Sequence, residues 1–331
     1  MAGVGCASRG PKRECGLRSI QTSGTHVKKW KCILSLPGDN MYLREQTLVA
    51  KATADRLGVE IEVVNAAMDP VLQSQQLLKF VQSAPESRPD GVLIEPVSGT
   101  GLPRVAEAAV AAGIGWVVSN AQVDYLGTLR ASAKVPVFLV SQDHVDIGRI
   151  QGRQIAALLP EGGSVLYLRG PAMSSIASRR FEGLENAKPK NVEVKSLKVQ
   201  GSTADAAYNT VSSWLSLSTG KPEGTHLVFS QNADFILGAR KAFEANVAET
   251  ERKKWLALPC AGVGIPGQIK PLVDQGMLRA AVMTSLTMDA AVEMLVQAMK
   301  QKSQPREQTF VDARSYPTLE DLAKRRNGAK A

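Results

Sequence analysis

The stretch Asp90 to Asn120, DGVLIEPVSGTGLPRVAEAAVAAGIGWVVSN, restricts the fold more than any other part of the chain. An apolar run from Gly91 to Glu95 leads through a Pro/Ser/Gly turn into the Ala-rich helical pattern Leu102 to Ala112, and a second apolar run spans Gly115 to Ser119. Gly113 stands where a helix C-terminal glycine belongs, and near-continuous apolar strands are those of a parallel sheet covered on both faces. The stretch reads as one βαβ unit. Ligands of open parallel sheets bind beyond the carboxyl ends of the strands, which puts Glu95, Pro96, Ser119 and Asn120 beside a site.

The same alternation extends in both directions. Before it, Cys32 to Leu36 is a strand, Met41 to Leu57 a helix with Asn40 as N-cap and Gly58 as its end, Val59 to Val64 a strand, and Val71 to Ser83 a helix opened by Asp69-Pro70. After it comes a less regular segment, Ala121 to Lys134, then a strand from Val135 to Val140. A second series repeats the architecture: helix Asp146 to Leu159, strand Ser164 to Leu168, helix Ala177 to Ala187, strand Val192 to Val199, helix Ala204 to Ser218 and strand His226 to Ser230. Helix Ala233 to Ala245, a strand Trp255 to Ala261, a short helix Ile269 to Gln275, a hairpin-like or crossing strand Gly276 to Thr284 and a helix Met288 to Lys300 complete it. This alternation predicts an α/β chain with doubly wound parallel sheets. Residues 1–30 read as a disordered basic tail. Residues 301–331 are polar and read mostly as a tail in which Pro317 to Lys324 could form a short helix.

At 331 residues and 44% apolar composition the chain has material for two domains, each with a core. The net charge of +9 would suggest nucleic acid if it were spread over a face, but it lies in the termini. Residues 1–31 carry seven Lys/Arg against one Glu, and residues 300–331 carry eight against four Asp/Glu, leaving the body close to neutral. No nucleic-acid partner is expected. Cys6, Cys15, Cys32 and Cys260 have neither CxxC spacing nor a nearby His, so neither a zinc site nor a disulfide framework is expected; Cys32 and Cys260 read as small buried apolar residues. No apolar run is long enough to span a bilayer, and the first residues lack the apolar core of a secretory signal, so the sequence taken literally places the protein in the cytoplasm.

Reactive motifs are missing. The chain has no GxGxxG after its first strand, no GxxxxGK[ST], no GxSxG and no HExxH. His26, His144 and His226 read as surface or packing residues, and Gly262 to Gly267 carries a Pro where a phosphate cradle needs a backbone donor. The strand ends are instead rich in hydroxyl and amide groups: Asp39, Asn40, Asn120, Ser174, Ser175, Gln231 and Asn232. Such groups suit neutral polar ligands and do little acid–base work. No enzyme, cofactor or metal is expected.

With those residues in view the chain resembles a family. The segments LGVEIEVVNAAMDP, DGVLIEPV, AAGIGWVVSNA, SQDHVDIGRIQGRQIAALL, GSVLYLRGPAMSSIASRRFEGLENA, HLVFSQNADFILGARKAFEA and IKPLVDQGMLRAAVMTS, in that order over residues 31 to 312, resemble the ribose-type periplasmic sugar-binding proteins, whose fold is shared with effector domains of LacI-type repressors. The resemblance implies two lobes, 31–141 plus 285–311 and 142–284, with a tail at 312–331 and crossings near Ser141, Thr284 and Val311. It implies a periplasmic, monomeric solute-binding protein of a sugar-type ABC transporter. Such a protein would close by hinge motion on a small polar, carbohydrate-like ligand and engage a membrane permease or receptor. The alternative is a cytoplasmic effector-sensing domain, for which the first 30 residues supply no DNA-binding element. Carried over by position, the ligand-binding residues fall on Asn40 and Tyr42 (with Leu43 in place of a second aromatic), Asn120 followed by Ala121, Ser178 with Arg179 and Arg180 adjacent, Ser202, Asn232 followed by Ala233, Gly264 and Thr284. Asp39 and Ser175 complete the predicted set. Since many of these replace charged family residues, the sequence predicts a cleft largely without a charged clamp.

Overall fold

The computed structural model describes residues 1–3, 5, 29–98, 102–172, 174–217 and 221–328, with no side chains described beyond Lys324. The predicted disordered tail therefore lies almost wholly outside the described residues. The elements follow in chain order as β1 (Lys31–Leu36), α1 (Met41–Leu57), β2 (Glu60–Asn65), α2 (Pro70–Val81), β3 (Gly91–Ile94), α3 (Pro103–Ala111), β4 (Gly115–Ser119), α4 (Leu126–Ser132) and β5 (Val137–Gln142). The second series is α5 (His144–Leu158), β6 (Gly163–Arg169), α6 (Ser175–Ala187), β7 (Val192–Lys198), α7 (Ala204–Leu215), β8 (Leu227–Ser230), α8 (Ala233–Ala245), α9 (Glu249–Ala257), β9 (Cys260–Gly264), α10 (Pro266–Asp274) and β10 (Ala280–Thr284). The chain ends with α11 (Met288–Gln301), β11 (Gln308–Val311), β12 (Ala313–Tyr316) and α12 (Leu319–Gly328).

The strands form two six-stranded sheets, ordered β2-β1-β3-β4-β5-β11 and β7-β6-β8-β9-β10-β12. Every pairing is parallel except β10 with β12. The chain passes between the sheets after β5, after β10 and between β11 and β12. Alternation along each strand feeds two cores. In the first sheet Leu34 and Leu93 face α1 and α11, whereas Ile33, Val92 and Ile94 face α2, α3 and α4. In the second, Leu166 and Leu168 pack against α7 and α8, while Val165 and Tyr167 pack against α5 and α6. Burying both faces excludes water from the central strands, and side chains of period two then have to be apolar throughout.

Four local expectations are corrected. The predicted strand from Trp255 begins too early: Trp255 belongs to α9 and stacks on Phe243 with ring centroids 4.6 Å apart, so its apolar character anchors a charged surface helix. Of the two readings of Gly276 to Thr284 the hairpin falls and the crossing strand stands, because β10 pairs in parallel with β9 and antiparallel with β12 inside the sheet and the chain crosses to the first lobe after it. The segment 121–134 contains α4, a helix of seven residues lacking a side-chain cap and too short for periodicity to mark. Finally, residues 312–328 are no tail, and the short helix expected at 317–324 is present as α12. β12 completes the second sheet, and α12 lies on α5 with Leu322 buried in the core.

Candidate functional site

Both sheets point the carboxyl ends of their parallel strands at one cleft of ≈ 320 Å³. Its walls are the residues that follow the strands: Pro37 after β1, Glu95 after β3, Asn120 after β4, Gln142 at the end of β5, Pro171 after β6 and Gln231 after β8. Of the predicted set, Asn40, Tyr42, Asn120, Ser175, Ser202, Asn232, Gly264 and Thr284 line it. Asp39, Ser178 and Arg179 do not. Asp39 is turned outward into an exposed ion pair with Arg44 at 2.7 Å, which holds its carboxyl below the usual range. Ser178 is exposed on α6, and the helical period explains why. Ile176 and Arg180, four residues apart, share the face turned to the cleft, and Ser178 falls on the opposite one.

Arg180 thus brings a charged group into a cleft expected to be largely without a charged clamp. Its Nη1 donates to the Gln231 carbonyl at 2.7 Å, Nη2 to Gln142 Oε1 at 3.0 Å and Nε to His144 Nδ1 at 3.4 Å. His144 is a further correction, for it is neither a surface residue nor a simple packing residue. Its Nε2 lies 2.7 Å from the Asn120 carbonyl, linking the first helix of the second series to the first sheet. A ring that donates from Nε2 and accepts at Nδ1 is neutral, and burial together with the Arg180 charge pushes its pKa down to about 3. Gln142 also donates to the Ser285 carbonyl at 3.0 Å, so one side chain joins two crossings between the sheets.

Glu95, which the strand-end argument put beside a site although the carried-over ligand set lacks it, is the second charged group of the cleft. Burial pushes its carboxyl up to about 7, against a bond from Asn120 and the charge of Arg180 that both pull it down. Its backbone is fixed by Gln73, whose Nε2 donates to the Glu95 carbonyl at 3.0 Å and whose Oε1 accepts from Val97 N at 2.9 Å. Asn120 donates from Nδ2 to Glu95 Oε1 at 3.2 Å and holds φ +61°, a left-handed conformation that Asn tolerates better than most residues. Tyr42 accepts from Gln46 at 2.5 Å, and the same Gln46 reaches Thr287 Oγ1 at 2.8 Å, which positions the phenol against the start of α11. On the opposite wall Asn232 caps α8 through Oδ1 and donates Nδ2 to the Ser202 carbonyl at 3.1 Å. Asn40 likewise caps α1. These two residues are both structural caps and cleft residues. A side chain at Gly264 would meet Gln268 Oε1 at 2.5 Å, and it is Gln268, bonded to Asp234 at 2.6 Å, that fills that wall. Among the described residues no group of side chains could hold a metal ion, and Cys32 and Cys260 are buried free thiols.

This geometry agrees with comparison to known proteins. A family model described as "Periplasmic binding protein domain" matches residues 33–303. The chain belongs to that family. Within the periplasmic binding proteins it is similar to a galactofuranose-binding protein, at 20% identity over 90% of this chain and 99% of that one, with a TM-score of 0.73. It is also similar to an ABC transporter solute-binding protein from Bacillus halodurans with bound myo-inositol, at 18% identity over 90% and 97% of the two chains and a TM-score of 0.73. A curated relative, a putative rhizopine-binding protein from Rhizobium meliloti, is 22% identical over 192 residues, 57% of this chain. That match spans 58% of the relative's length. The fold is accordingly that of two α/β lobes with parallel-dominated sheets, the type I periplasmic-binding-protein fold.

Proposed function

We propose that this chain is the substrate-binding protein of a sugar-type ABC transporter and binds one small polar, carbohydrate-like molecule in the cleft by hinge closure. The observation that carries the reading is the cleft itself, walled by amide, hydroxyl and charged groups from the carboxyl ends of both sheets, with the crossing segments behind it. The similar structures were determined with myo-inositol in one case and are named for galactofuranose in another, which supports a polyol or sugar. The lobes are 31–141 with 285–311, and 142–284 with 312–328. Tyr42, Asn120, Ser175, Ser202, Asn232 and Thr284 contact the ligand, joined by Glu95, Arg180, Gln142 and Gln268. The mechanism is a shift between open and closed populations, and the closed form engages a membrane permease; no step of bond chemistry belongs to it.

Thermal unfolding against a panel of sugars, polyols, amino acids and nucleosides tests this. A ligand at about 100 times its dissociation constant adds roughly 2.7 kcal/mol, enough to raise the midpoint measurably. A shift with sugars or polyols is expected. Stabilisation by amino acids or nucleosides alone would overturn the ligand class.

A further inference from the structure

Two buried acceptors in the cleft are unmatched. Glu95 and Asn120 both line it, at 7% and 5% exposure, and among the described residues neither Glu95 Oε2 nor Asn120 Oδ1 has a hydrogen-bond partner. Their arrangement is fixed: Asn120 must turn its Nδ2 to Glu95 Oε1, which leaves its own oxygen as the free atom. Arg180 does not serve them through any of its three hydrogen bonds, which go to Gln231, Gln142 and His144. A carboxylate without an ion-pair partner and an acceptor without a donor are both costly in a dry site. A ligand group that brings donors to both acceptors, and a positive charge closer to the carboxylate than that of Arg180, completes the site.

Two hydroxyls could supply one donor each, but they bring no positive charge to the carboxylate and add lone pairs of their own to the site. An ammonium group carries three donors, no acceptor and a positive charge that can pair with the carboxylate directly. Resting on the sugar- or polyol-binding reading above, we infer that the ligand is an amino sugar or aminocyclitol whose ammonium group is held by Glu95 Oε2 and Asn120 Oδ1, while its hydroxyls face the amides of the opposite wall. Ionised Glu95 is the form that binds it; the groups facing this carboxyl are Tyr42, Asn120 and Arg180, with His144 neutral behind them.

Titration calorimetry at pH 7.5 with glucose, galactose and myo-inositol, each paired with its monoamino-deoxy counterparts, tests the assignment. Charge-assisted bonds of about 1.5–3 kcal/mol predict that an amino member binds roughly tenfold or more tightly than its neutral partner. In Glu95→Gln the ratio within that pair falls to about one, and in Glu95→Asp, which keeps the charge, part of the preference returns. A neutral member bound as tightly as or more tightly than its amino counterpart in wild-type protein overturns the inference and leaves the sugar-binding reading standing. Failure of every member to bind removes that reading, and the inference with it.

Discussion

Glu95 and His144 share one hydrogen-bonded region, and burial shifts them in ways that oppose each other in pH. Glu95 has a folded pKa raised from 4.5 to about 7, so the folded state holds a proton that the unfolded chain has released, and stability falls as pH rises through that window. His144 has a folded pKa lowered from 6.5 to about 3, so the unfolded chain binds the proton first and stability falls as pH drops below 6.5. Between about 4.5 and 6.5 the two slopes cancel to first order. Glu95→Gln removes one of them. The variant, without ligand, should gain stability with rising pH across that window and exceed wild type by up to about 3 kcal/mol at pH 8. Urea unfolding at a series of pH values reads this directly, and parallel curves for the two proteins would contradict it. Neither shift was legible from the residue types alone. A carboxyl after an apolar strand and a His before a helix are common sequence features; only the enclosing side chains set their protonation.

At the scale of elements, the placement of Arg180 depends on how closely α6 approaches α5. A Cβ on Gly183 would sit 1.9 Å from the Val145 carbonyl oxygen, and one on Gly148 would sit 2.0 Å from the Arg180 carbonyl oxygen. The two helices therefore touch backbone to backbone through a glycine on each. Gly183→Ala has to push α6 outward, at a cost of about 1–3 kcal/mol for overpacking, and withdraws Arg180 from Gln142 and His144. Both a lower unfolding midpoint and weaker binding of the ligand found by the thermal panel are expected. Full retention of affinity would show that the helix contact does not position the arginine. The periodicity of α6 was visible in the sequence, yet the position carried over from the family falls on Ser178, with Arg180 only adjacent. Counting four residues on from Ile176 leads to Arg180, a step that needs the helix face to be known.

Across the whole molecule, the last strand and helix close the second sheet. β12 covers the edge of β10, and Leu322 of α12 fills the core between α5 and β6. Truncation after Val311 would uncover a row of backbone donors and acceptors on β10 and remove that leucine, at a cost of at least about 2 kcal/mol. Such a protein should lose its single cooperative transition, the second lobe melting before the first, as followed by calorimetry with limited proteolysis. An unchanged transition would mark residues 312–328 as dispensable. The polar composition of this region hid its role: an edge strand needs one apolar face at most, and a short docking helix needs only a residue or two in contact.

What the sequence determined by itself was the alternation of parallel strands and helices, because strands buried on both faces must be apolar along their length and the glycines and caps between them can be read one at a time. From that alternation, and from strand ends rich in amides and hydroxyls, came a ligand cleft with Asn40, Asn120 and Asn232 on its walls. What tertiary structure decided was which neighbours share an enclosed volume. Asp39 turns out to solvent, Arg180 turns in, Gln268 stands in for a side chain at Gly264, and Glu95 meets Asn120 with two acceptors left over. Charge, protonation and hydrogen-bond satisfaction depend on distances between residues far apart in the chain, and those distances exist only once both lobes are in place.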